Sequence, residues 1–144
     1  MTDSRSGSGS NPLWRSLRVL VVDDEVMMLR TVRRMLKRVR PDWKLVTVTS
    51  GEFALEQLEH RPFDVIVTDL RMNGMQGGTL LEHVRERYPD VVRVVHSGHV
   101  DTLMSKTKAS LAHALVVKPA DSETLLRTIE RAVGFDAEEE ENSA

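Results

Sequence analysis

There is no cysteine in this chain, so disulfides and thiolate metal sites are excluded outright, which suits a reducing compartment. No apolar run approaches the roughly 18 residues of a membrane span, and the N-terminus lacks the hydrophobic stretch of a signal peptide. The expectation is a cytoplasmic protein with no membrane association. Charge excess is missing too: the formal net charge is −2, and the scattered lysines and arginines present no basic face to a nucleic acid. What remains is an ordinary amount of core-forming material, 40% hydrophobic and 29% charged over 144 residues, enough for one domain with a real core.

Residues 1–16 are dominated by Ser, Gly and polar side chains around Pro12 and read as a flexible arm. From Leu17 a strand and helix alternation runs to about Gly134, giving one domain over 17–134. The expected strands are Arg18–Val22, 45–48, Val65–Thr68, 91–96 and Ala114–Val117, short and rich in β-branched residues, as buried parallel strands are. Between them lie expected helices at Val26–Val39, 52–59, 79–87, a weakly periodic 102–111, and 122–133. Thr49 and Glu52 have capping-box spacing, and Asp121 is placed to cap the last helix. Residues 135–144, with glutamates at 138–141, read as an acidic disordered tail. Right-handed crossovers leave few arrangements besides an α/β doubly wound sheet with helices on both faces, flavodoxin-like, for which the expected strand order is 2-1-3-4-5.

The chemistry-bearing residues stand just past these strands. Asp23 and Asp24 follow the first, Asp69 follows the third, and Lys118 follows the fifth. Strand order 2-1-3-4-5 brings strands one and three together, so the three carboxylates face one another at the carboxyl edge, where open α/β sheets hold their sites. Like charges about 4 Å apart repel by roughly 4 kcal/mol at an effective dielectric near 20, so the trio calls for a divalent cation. Mg2+ (or Mn2+) suits these oxygen ligands, with Asp24 and Asp69 direct and Asp23 through water. Asp69, beside a loop holding three glycines, is the carboxylate placed to accept a phosphoryl group as an acyl phosphate. Lys118 would supply positive charge to its oxygens and the Ser97 hydroxyl a hydrogen bond.

Four ordered blocks then carry a resemblance: Val21-Val22-Asp23-Asp24-Glu25; Asp64 to Met72 with Gly74, Met75 and Gly77; Val95-His96-Ser97-Gly98; and Lys118-Pro119. Over roughly residues 17 to 134 the chain resembles a receiver domain of a two-component response regulator, similar to the chemotaxis response regulators. The resemblance implies phosphoryl acceptance on Asp69 from a histidine kinase or histidine phosphotransfer protein. It implies metal contact by Asp24, Asp69 and the Arg71 carbonyl, phosphoryl contact by Lys118, a switch hydroxyl at Ser97 and a cis Lys118-Pro119 bond. It makes Arg71 and His99 tuning positions for the phosphoryl lifetime. The face of the fourth helix, fifth strand and fifth helix would engage a downstream partner or a second copy, with Met104, Lys106 and Leu115 as contacts.

Three departures from that pattern stand out. Asn73 replaces the usual loop proline after Met72, Leu115 replaces the usual switch aromatic, and Leu111-Ala112-His113 replaces the small-residue turn before the last strand. The second function consistent with the residues is a receiver-shaped adaptor that binds partners without phosphorylation. A magnesium hydrolase with an aspartyl nucleophile would want a second carboxylate where Arg71 stands. Simpler roles are expected elsewhere: helix capping for Glu25, surface or hydrogen-bonded core positions for His96 and His113, core filling for Met27, Met28 and Met35, and a solvated basic face on the first helix.

Overall fold

The computed structural model describes residues 16–98 and 111–135. Five strands form one parallel sheet: β1 (Arg18–Val22), β2 (Lys44–Val48), β3 (Val65–Thr68), β4 (Val92–Ser97) and β5 (Ala114–Val117), in the order β2-β1-β3-β4-β5. Helices α1 (Val26–Val39), α2 (Gly51–His60), α3 (Gly77–Arg87) and α4 (Ser122–Glu130) complete the described alternation, and α4 runs on into a π-helical turn, Arg131–Phe135. All of the expected arm but Ser16, all of the expected tail but Phe135, and most of the expected helix at 102–111, with Met104 and Lys106, lie outside the described residues.

The sheet sorts its side chains by alternation, since successive residues of a strand point to opposite faces. Val19, Val21, Val65, Val67, Val94 and Val116 pack with Leu29, Val32, Leu36, Leu125 and Ile129 of α1 and α4. Leu20, Val22 and Ile66 pack the other way, with Ala54 and Leu58 of α2 and Leu80 and Val84 of α3. Register is regular: Val19 lies opposite both Leu45 and Val65, and Val65 opposite Val92.

Several local expectations are corrected. Helix α2 is capped by Ser50, whose hydroxyl accepts from the Phe53 N–H over 3.1 Å, in place of the Thr49 capping box. Glu25 occupies the N-cap position of α1 but makes no side-chain capping bond. Val26 and Met27 are exposed, 53% and 69%, whereas Met28 and Met35 pack on the core. Strand β5 is an edge strand, with only β4 beside it; Val116 is buried, while Leu115 and Val117, which alternation puts on the opposite face, are exposed. The last α-helix ends at Glu130, three residues short of the expected 133. Asp121 caps it as expected, accepting from Thr124 N–H over 2.7 Å.

Candidate functional site

Asp23, Asp69 and Lys118 are each held by one hydrogen bond that carries the sheet ladder past the strand end. Asp23 N–H donates to Val48 C=O (3.2 Å), Asp69 N–H to Val22 C=O (3.1 Å) and Lys118 N–H to Ser97 C=O (3.1 Å). Backbone positions at the ends of three strands, β1, β3 and β5, are thereby fixed before any side chain is considered. The consequence is convergence: Asp23, Asp24 and Asp69 each offer an oxygen, and the three oxygens lie within 4.8 Å of one another.

Lys118 binds two of the three. Its Nζ donates to Asp23 Oδ2 over 2.6 Å and to Asp69 Oδ2 over 3.0 Å. Three of the four remaining oxygens are also engaged: Asp23 Oδ1 accepts from Glu25 N–H (2.9 Å), Asp69 Oδ1 from Leu70 N–H (2.7 Å), and Asp24 Oδ2 from Asn73 N–H (2.9 Å). Asp23 and Asp69 are buried and Asp24 is half-buried. Burial raises the Asp23 carboxyl above its ordinary value, aided by repulsion from Asp69, against the pull of Lys118 and the Glu25 N–H. For Lys118, burial works against the charge, yet the hydrogen bonds and charges of Asp23 and Asp69 outweigh it and hold the ammonium above its ordinary value. One ammonium among three ionised carboxylates leaves two negative charges unbalanced, and oxygen donors at this spacing fit a hard divalent cation.

Ser97 ends β4 fully buried, one hydrogen bond from the Lys118 backbone. The Lys118-Pro119 peptide is cis, as the resemblance implies. Arg71 lies exposed on the loop after Asp69, Leu115 is exposed on β5, and His99 lies outside the described residues. His96 departs from expectation: it is buried, its Nε2 has no partner among the described residues, and burial lowers its pKa to about 4, with the Lys118 charge adding to the effect. His113 instead accepts from the Arg93 N–H over 2.9 Å.

Sequence reading missed the β3–α3 loop as a built object. Gln76 Oε1 accepts from Met72 N–H (3.2 Å) and Gln76 Nε2 donates to Met72 C=O (2.6 Å). Gly77 N–H donates to Leu70 C=O over 2.8 Å, and a Cβ on Gly77 would sit 2.0 Å from the Asp69 carbonyl oxygen. The glycine was legible as a loop signal; the glutamine carried none, because its bonds go to main-chain atoms.

Residues 19–130 match the family model of the response regulator receiver domain, and the chain belongs to that family. It is 35% identical over 117 residues to the hydrogenase transcriptional regulatory protein HoxA of Cupriavidus necator, covering 80% of this chain and 24% of that protein. It is 34% identical over 121 residues to a protein-glutamate methylesterase/protein-glutamine glutaminase of Rhodospirillum centenum, covering 83% of this chain and 28% of that one. The chain thus spans about a quarter of the length of these relatives, whose names give two different activities. Among solved structures, the chemotaxis response regulator CheY4 of Vibrio cholerae superposes with a TM-score of 0.71 at 27% identity, over 82% of this chain and 99% of that one. This is a receiver domain of two-component signal transduction with the chemotaxis-regulator fold. Among the described residues no helix is long and apolar enough to cross a membrane.

Proposed function

We propose that this receiver is a phosphorylation switch in which Asp69 takes a phosphoryl group from the phosphohistidine of a histidine kinase or histidine phosphotransfer protein. An Asp69 oxygen attacks phosphorus, the P–O bond forms as the P–N bond breaks, and the imidazole leaves with a proton. Hydrolysis reverses the state: water attacks phosphorus and the Asp69 carboxylate leaves, releasing inorganic phosphate. Asp23, Asp24, Asp69 and the Arg71 carbonyl would hold Mg2+, which when bound neutralises charge on the transferring group. Lys118 holds a phosphoryl oxygen, exchanging its bond to Asp69 for it, and the Ser97 hydroxyl holds another. Arg71 and His99 set the phosphoryl lifetime.

The observation that carries this reading is Lys118 bridging Asp23 and Asp69 inside the carboxylate group. An adaptor with no phosphoryl chemistry has no need to bury these charges together, because the desolvation cost of such pairs is several kcal/mol per ion. The downstream contact is a protein or a second copy at the face that includes β5, in a cytoplasmic setting, with no direct nucleic-acid contact by these residues. The adaptor remains the second reading, favoured by Leu115, which is 46% exposed and offers no aromatic ring to rotate behind Ser97.

Incubation with a small phosphodonor and Mg2+, followed by intact-mass measurement, separates the two. A gain of one phosphoryl group in the wild type and none in Asp69→Asn supports the switch. An unmodified wild type that also fails to bind beryllofluoride supports the adaptor.

A further inference from the structure

We propose that Gln76 is a positioning residue for the divalent cation, acting through the Met72–Asn73 peptide on Asp24. This rests on the cation-dependent reading above and adds a residue that reading does not use. Gln76 stands at the N-cap of α3, yet its side chain caps nothing there. It turns back and holds both main-chain groups of Met72, accepting from N–H and donating to C=O.

Peptide planarity converts that grip into an aim. The Met72 carbonyl and the Asn73 N–H belong to one trans peptide plane, where they point in opposite directions. Gln76 Nε2 fixes the carbonyl from one side, so the Asn73 N–H is directed to the other, where it meets Asp24 Oδ2 at 2.9 Å. Asp24 Oδ1 carries no hydrogen bond among the described residues. One oxygen is thus oriented by a neutral donor, and Asp24 offers an oxygen within 4.8 Å of oxygens from Asp23 and Asp69.

The rest of the loop is anchored independently. Met72 is buried in the core beneath α2 and α3, Met75 packs against Gly51, and the Gly77 N–H closes on Leu70. Removing the Gln76 grip therefore frees two peptide planes, Arg71–Met72 and Met72–Asn73, and leaves the fold. Partners that orient a metal ligand in this way are commonly worth 10 to 100-fold in metal affinity. The Gln76 effect is expected near the lower figure, because Gln76 and Asn73 are exposed and water can replace part of what the substitution removes.

The test is Mn2+ affinity by electron paramagnetic resonance, with Mg2+ as competitor, on the full chain and four variants. Gln76→Met is neutral, of similar length and makes no hydrogen bond; Asn73→Pro deletes the amide hydrogen; Asn73→Ala keeps it; the fourth is the double variant Gln76→Met with Asn73→Pro. The expected result is about tenfold weaker binding for Gln76→Met and Asn73→Pro, no change for Asn73→Ala, and a double variant whose loss falls short of the product of the two single losses. Phosphorylation of Gln76→Met from the small phosphodonor should recover the wild-type rate at saturating Mg2+. Unchanged affinity in Gln76→Met, additive losses in the double variant, or weakening by Asn73→Ala overturns the role of Gln76 while leaving the phosphorylation reading in place. A wild type that binds neither cation overturns both.

Discussion

The Lys118 ammonium lies 2.6 Å from Asp23 Oδ2, with 13% and 4% of the two side chains exposed. Deleting one partner of a buried pair leaves the other's charge uncompensated and costs on the order of 3–5 kcal/mol. Lys118→Met should therefore destabilise the metal-free protein by about 3 kcal/mol, because Asp23 and Asp69 then repel with no cation between them. Mg2+ should stabilise this variant more than the wild type, since the ion no longer competes with the ammonium for the same carboxylates. Urea unfolding in EDTA and in Mg2+ measures both. Equal stabilisation of the two proteins by Mg2+ would show that ion and ammonium do not share ligands.

His96 gives the fold a dependence on acid. Burial lowers its folded pKa to about 4 from an ordinary 6.5, so the unfolded chain takes up the proton first. The stability this neutral ring preserves is complete above about pH 6.5 and is lost as pH falls toward 4. Between pH 7.5 and 5 the loss from this group amounts to about 2 kcal/mol. His96→Met, which fills the site without titrating, should flatten the stability curve over that window by a similar amount. A variant that loses stability as steeply as the wild type assigns the acid sensitivity to other groups.

Two glycines separate a backbone clash from a side-chain one. At Gly77 an added methyl would meet the Asp69 carbonyl oxygen at 2.0 Å and the Leu70 Cα at 2.8 Å, all main chain. At Gly51 the nearest atom is the Met75 sulfur at 2.8 Å, the movable end of a flexible side chain. Gly77→Ala should cost about 3 kcal/mol or more, or fail to fold, while Gly51→Ala should cost about 1 kcal/mol. Comparable midpoints for the two variants in urea would contradict this ranking.

Most of the sheet was legible because short β-branched runs between helical periods leave few alternatives. Asp23, Asp24, Asp69 and Lys118 were legible for the same reason: strand ends and strand order fix where they meet. The errors came where tertiary surroundings decide. Met27 was read as core filling, yet in the first turn of α1 it is 69% exposed. The apolar run of β5 read as a buried strand, but only Val116 is buried, while Leu115 and Val117, which alternation puts on the opposite face, are exposed. Gln76 and the Asn73 amide left no trace in the pattern, since main-chain hydrogen bonds place no demand on neighbouring residue types.

The central claim is that converging carboxylates hold a divalent cation and leave Asp69 to capture phosphorus. Borohydride reduction after treatment with phosphodonor and Mg2+, followed by peptide mass spectrometry, converts an aspartyl phosphate to homoserine and locates it in the chain. The account predicts homoserine at position 69, dependent on Mg2+ and abolished by EDTA. Homoserine at Asp23 or Asp24 in place of Asp69, or modification of Asp69 that is undiminished by EDTA, would contradict it.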